Sequence, residues 1–559
     1  MRRRDFAALG LAGFAFPAFA QDAAFDQQAE AFLEALWQID PDAAVAAGRF
    51  EFAPRVTLPS AAQRDRMRAF LKRWHATFQS QSEAMLNTSQ RMDSALLLAK
   101  IDADLWRLDV LREWSWSPAE HNPAALLDLL LNTDYAPLPE RLRALAPRLA
   151  QLPAYYRAAA ASLSGVTREH TELALQQAPG VLGVLDDIAK HARAAGVDLA
   201  KPLAGARAAV RGYVAQLKKL KPARSFRLGG ELYEPKFAHD IQSARTARQT
   251  YELAQQRREE VLASMHTQAT ALWPTVIGSE PPPADRFALI GRVIDKLSEK
   301  HVRREQFVDE IRAQIPQLEA WVRDHDLLSQ DASKPLQVRE TPEYQRGIAG
   351  ASIEAPGAYR PQDKTYYNVT PLDDLTPEQA ESSLREYNHW ILQILNIHEA
   401  IPGHYTQLVH ANRVPSKVKA LFGNGAMVEG WAVYGERMMI ESGYGASPEM
   451  TLMWGKWHLR SVTNTVLDYS VHVLGMSEAD AVDLLTAQAF QTAREAKEKW
   501  RRVQLSSVQL TSYFSGYSEI FALREQLKSR PGFDLKAFHE QFLSYGSAPV
   551  RLIAAQMLA

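Results

Sequence analysis

The stretch His398-Glu399-Ala400-Ile401-Pro402-Gly403-His404 ends a run in which Leu384, Tyr387, Ile391, Leu395 and His398 recur every three or four residues. That period predicts a helix with one buried stripe, and His398 falls on the stripe, pointing inward. Two imidazoles and a carboxylate so close together are the parts of a metallopeptidase site, whose usual form is H-E-x-x-H on one helix face. Here the second His follows the first by six residues instead of four. At roughly 100° per residue, an unbroken helix would turn His404 nearly to the wrong side. Pro402 forbids that helix, because it has no N–H and collides with the carbonyl of His398. Gly403 then allows backbone angles closed to other residues. The sequence therefore predicts a Pro-Gly bulge that swings His404 back toward His398. The same residues also suit a core histidine followed by a plain turn.

Working outward, Glu429-Gly430-Trp431-Ala432 opens a second helix, predicted over 428–440 and closed by Gly443 and Gly445. Glu429 and Glu436 are seven apart and share one face. One can ligate a metal while the other orients a ligand from behind. Trp431 and Tyr434 between them favour burial. Ser447-Pro448-Glu449 reads as the start of the next helix. Upstream, residues 336–370 are rich in Gly and Pro, and Thr365-Tyr366-Tyr367-Asn368-Val369-Thr370 has the composition of a strand. A small sheet beside the metal motif is expected there, and an exposed edge could pair with an extended peptide. Elsewhere the chain reads as helix: 25–39, 63–78, 92–114, 139–164, 202–217, 244–273 and 287–324, with Pro near several starts. The expected fold is mainly α, a large multi-helix metallopeptidase-like body with a small β element near 336–370 beside the active-site helix. A helical N-terminal region (21–335) would precede a catalytic, metal-binding region (336–559).

The chain has 559 residues, 46% hydrophobic and 23% charged, ordinary for a soluble globular protein. Sixty-four Lys and Arg balance 65 Asp and Glu, for a net charge of −1, so nothing argues for nucleic acid as a partner. With no cysteine, a metal site here must be built from His, Asp and Glu. Residues 1–20 read as an export signal: Arg2-Arg3-Arg4, an apolar run from Phe6 to Phe16, and Ala18-Phe19-Ala20 before cleavage at Gln21. Arg3-Arg4-Asp5-Phe6 also resembles the core of a twin-arginine signal, with ordinary secretion as the rival route. The apolar run is too short for a permanent membrane span. A periplasmic or secreted protein, with no stable membrane insertion after cleavage, is the expectation.

The chain resembles the DUF885 family of bacterial proteins, whose signature is similar to H-E-A-x-P-G-H followed by E-x-W-A. The resemblance extends through Leu228-Gly229 and Tyr233, Tyr366-Tyr367-Asn368, Asp468 and His472, Ser512-Tyr513-Phe514-Ser515-Gly516, and Phe538-His539 with Ser544-Tyr545-Gly546. It implies a relationship to zinc metallopeptidases of the gluzincin kind. What it implies for this chain is one zinc ion held by His398, His404 and Glu429, with Glu399 as general base, acting on a peptide substrate. This chain departs from the usual pattern at Tyr405, where many members have a second His, and at Asn464, where many have an Arg. Arg460 lies one turn before Asn464. An oxyanion donor besides the metal is expected. Tyr513 is the first candidate, because Gly516 suits a backbone lying close to the cleft. His472 is the second, because Asp468 at i−4 could fix its ring. Two other classes fit the same residues: a metallo-hydrolase of non-peptide amides or esters, and a non-catalytic exported binding protein. Glu399 separates the latter, since pure binding has no need of it.

Overall fold

The structure, a computed structural model, describes residues 18–341 and 350–559. The export signal lies outside the described residues except for Ala18-Phe19-Ala20, which begin the helix Ala18–Ile39. As expected, the fold is mainly α with one small sheet. No helix among the described residues is long and apolar enough to cross a membrane.

The helices follow the apolar periodicity except where side chains compete for backbone groups. The run expected over 92–114 ends at Trp106; a wide turn (Arg107–Leu111) follows, and Arg112 is left-handed at φ 53°. The indoles of Trp114 and Trp116 donate to the carbonyls of Leu108 (3.2 Å) and Leu111 (2.8 Å), drawing them out of the helix. The helix expected over 287–324 is two, Arg286–Leu297 and Phe307–Asp324. Its apolar stripe lapses between Leu297 and Phe307, where the segment is mostly charged. The stripe from Leu384 to His398 is likewise interrupted. Asn388 stops one helix (Pro377–Glu386) and caps the next, accepting from the amides of Trp390 and Ile391.

Seven helices and the sheet frame the site: α1 (Phe307–Asp324), α2 (His389–Glu399), α3 (His404–Ala411), α4 (Gly425–Glu441), α5 (Pro448–His472), α6 (Ser512–Lys528) and α7 (Leu535–Ser544). Ser447 caps α5 by accepting from the Met450 amide, as its sequence predicts. In the sheet, β1 (Leu336–Glu340) runs parallel and β2 (Ala351–Glu354) antiparallel to the central β3 (Thr365–Val369). Tyr367 of β3 is wholly buried, and its hydroxyl donates to Asn396 on α2 at 2.9 Å. Asn396 in turn donates to Gln314 on α1 at 2.7 Å. A buried polar relay therefore fixes sheet, α1 and α2 to one another.

The long helix Ala247–Val276 lies along α5, and one apolar core runs from Phe25 to Met557. That core is continuous across residue 335. Every candidate site residue lies in 336–559.

Candidate metal centre

The bulge is present. Helix α2 ends at Glu399, the Ile401–Pro402 peptide is cis, and α3 starts at His404. The Gly403 amide donates back to the Ile397 carbonyl at 3.0 Å. A Cβ on Gly403 would sit 1.9 Å from the His398 carbonyl oxygen, so the backbone path of the bulge (φ −73°, ψ −132°) is closed to other residues, as expected. Trp431 of α4 seals the bulge by donating from its indole to the Pro402 carbonyl at 2.8 Å.

This turn brings His404 against His398, with ring centroids 4.7 Å apart and nearly perpendicular. Glu429 Oε2 lies 3.6 Å from His398 Nε2 and 3.4 Å from His404 Nε2. The three ligand atoms fall within 4.8 Å of one another, the one such cluster among the described residues. Two ligands at about 2.1 Å from a tetrahedral zinc are about 3.4 Å apart, so the spacing suits that ion. Glu429 Oε2 is buried and accepts no hydrogen bond among the described residues, an orphaned acceptor that a cation would satisfy.

Glu436 resolves the choice between the two carboxylates. It is wholly buried one turn pair behind Glu429, and its Oε1 accepts from His398 Nδ1 at 2.7 Å. That contact leaves Nε2 of His398 facing Glu429. A carboxylate behind a histidine orients the ring and raises its basicity. Trp457 of α5, unforeseen in the sequence, donates to the same Oε1 at 3.1 Å. No periodic signal marks Trp457, because its partner is on another helix.

Electrostatics follow from these contacts. Burial would raise the Glu429 carboxyl, but the two imidazoles outweigh it and hold it well below the usual range. Burial would lower His398, but Glu429 and Glu436 outweigh it and raise it well above the usual value. Burial raises Glu436 in spite of His398. Glu399 stands apart. It is partly exposed, and no group among the described residues hydrogen-bonds its carboxylate.

Of the two oxyanion candidates, Tyr513 is brought to the centre and His472 is not. The Tyr513 ring lies nearly parallel to His398, 6.4 Å between centroids. Its hydroxyl accepts from Arg502 Nη2 at 3.2 Å, which leaves its own proton free to donate. Gly516, however, does not approach the cleft. A Cβ there would meet the Ala426 carbonyl oxygen at 1.7 Å and Gly430 Cα at 2.9 Å, so the glycines join α6 to α4 backbone to backbone. His472 ends α5, fifteen residues and roughly 22 Å of helix beyond Trp457. Its Nε2 hydrogen-bonds the Val503 carbonyl at 2.8 Å, and its ring stacks on Tyr233. Asp468 serves Tyr233 and the Val508 amide instead of His472. Arg460 pairs with Glu386 and Glu495.

A helical body carrying a largely buried His-His-Glu cluster that could hold a metal is thus the class that fold and site define. The sequence profile of DUF885, described as a bacterial protein of unknown function, matches residues 41–557, and the chain belongs to that family. Among solved structures, a candidate lipoprotein of unknown function from Shewanella oneidensis is 47% identical. The match covers 96% of this chain and 100% of that one, with a TM-score of 0.88. A candidate lipoprotein from Colwellia psychrerythraea shares the fold at 16% identity and a TM-score of 0.75, over 96% and 98% of the two chains. No curated protein matches the chain.

Proposed function

We propose that the protein is a zinc-dependent peptidase of the gluzincin kind, with His398, His404 and Glu429 as ligands. The observation that carries this reading is the convergence of three ligand atoms, on one buried and two partly buried residues, beside Glu399, whose carboxylate is unbonded among the described residues. Zinc bound there would supply Lewis acidity, lowering the pKa of water toward about 7 and polarising a carbonyl. The chain does the rest. Glu399 takes the proton of the attacking water and passes it to the leaving nitrogen. Tyr513 donates its phenolic proton to the oxyanion while Arg502 holds the hydroxyl in place. Glu436 keeps the His398 ring in register. Among the described residues β2 is an edge strand of the sheet, and its outer side would offer main-chain groups to an extended substrate.

Export is part of the proposal. It rests on the residues 1–20 signal and on the description of the Shewanella relative as a candidate lipoprotein. Cell fractionation of the protein, with and without Arg3→Lys and Arg4→Lys together, tests export and its twin-arginine route. Mature protein found only in the cytoplasm refutes it.

The test of the activity is digestion of a peptide library read by mass spectrometry, alongside metal analysis of the dialysed protein. About one zinc per chain and cleavage abolished by a chelator are expected. A metal-free protein, or chelator-resistant cleavage, refutes the reading.

A further inference from the structure

Beyond Tyr513, six charged side chains from three helices crowd together. Glu386, at the end of the helix Pro377–Glu386, accepts from Lys456 at 2.7 Å and from Arg460 at 3.3 Å, both on α5. Glu495, on the helix Ala493–Leu505, accepts from Arg460 at 3.0 Å. One turn on from Glu495 is Lys499, and three residues further is Arg502. Two carboxylates thus share one cluster with four cations, an excess of two positive charges.

Lys456 and Arg460 take up both carboxylates, and Lys499 is left over. It is only 6% exposed, yet it makes no hydrogen bond and no ion pair among the described residues. Its buried stem holds the ammonium beside the cluster with neither carboxylate committed to it. Burial first, then the guanidinium groups of Arg460 and Arg502, push its pKa well below the usual lysine range. An entering anion would relieve both effects.

The cluster adjoins the centre through Arg502, which bonds the Tyr513 hydroxyl, whose ring lies beside His398.

We infer that Lys499, assisted by Arg502, receives a carboxylate of the substrate. The inference rests on the peptidase reading and deepens it: the substrates are peptides with a carboxylate close to the scissile bond. Two sources share that chemistry, a free C-terminus and an Asp or Glu side chain.

Calorimetry on the Glu399→Gln protein, as purified, separates them. The probes are tri-alanine as the free acid, tri-alanine amide, and Ala-Glu-Ala amide. The free acid or the glutamyl amide should bind at least about tenfold tighter than tri-alanine amide, as a buried charge partner implies. Tighter binding of the free acid indicates a C-terminal carboxylate, and of the glutamyl amide a side chain. Lys499→Met should abolish the preference, and Lys499→Arg should restore part of it. Melting temperature and metal content monitor the fold of each variant. Arg502→Gln, at an exposed position, should weaken the same preference without disturbing the core. Equal binding of all three probes, no binding at all, or a preference that survives both Lys499→Met and Arg502→Gln overturns the inference. A protein that prefers the carboxylate but cleaves no peptide refutes the peptidase reading alone.

Discussion

At the scale of single residues, Glu399 and Glu436 occupy different settings, one partly exposed and the other buried against His398. Glu399 ligates nothing and is bonded by nothing among the described residues, as a base needs. Glu399→Gln is expected to keep its zinc and its melting temperature while losing about 10²-fold or more in turnover. Metal analysis with single-turnover kinetics checks this, and wild-type turnover would point to another base. Glu436 acts only through His398, so Glu436→Gln should weaken zinc affinity by about 10–100-fold. Competition with a chelator of known affinity measures it, and unchanged affinity would make Glu436 a mere core acid. Glu399 was marked in the sequence by its place beside His398. Which of Glu429 and Glu436 backs the His398 ring was not legible locally, since both lie near apolar residues and only the facing helix decides which meets a histidine edge.

At the scale of elements, the contact of α4, which carries Glu429, with α6, which carries Tyr513, fixes the two relative to each other. Gly430, next to the ligand, would bring a Cβ to 2.4 Å from Gly516 C. Backbone on both sides leaves nothing flexible to move. Gly430→Ala should cost about 3 kcal/mol or more, at the upper end of overpacking effects. It should also lower activity, because spreading the helices moves the ligand from the donor. Urea denaturation reads the first effect and kinetics on the surviving folded fraction the second. A variant as stable as wild type would show that the helices can part freely. Helix α2 illustrates what was readable here. Its buried stripe and its bulge follow from neighbours in sequence, whereas the stop at Asn388 depends on a side chain outcompeting the helix for two amides.

At the scale of the whole molecule, buried neutral histidines couple stability to pH. His539 on α7 accepts from the Tyr434 hydroxyl at 2.7 Å and donates from Nδ1 to the Leu327 carbonyl at 2.8 Å. Burial lowers its pKa to about 4, and that of His170, bonded to Thr167, likewise to about 4. Each folded pKa lies below the unfolded value of about 6.5, so between the two the unfolded chain binds more protons. Stability is therefore full above about pH 6.5 and falls on acidification toward pH 4, by about 3 kcal/mol per histidine at most. Urea denaturation at pH 7.5 and 5 should show the fall. His539→Gln should be less stable at pH 7.5 but have a shallower slope. An unchanged slope would mean that His539 does not titrate in this window. Zinc bound at the proposed centre would add to the same balance. Removing it should lower the melting temperature by ligand linkage while leaving the helices formed, as circular dichroism would show.

Whatever depends on near neighbours was determined by the sequence alone: the helical body, the strand at Thr365–Val369, the Ser447 cap and the bulge carrying His398 and His404. These are local choices, set by periodicity, by Pro402 without its N–H and by a side chain one turn away. Tertiary structure decided the rest. It chose Glu429 over Glu436 as the facing carboxylate and set Tyr513 at the centre. It also consigned His472 to packing, gave Gly516 to a helix crossing and left Lys499 without a partner. Each of those outcomes is a meeting of segments far apart in the chain, and a residue's own neighbours do not specify which distant surface it will face.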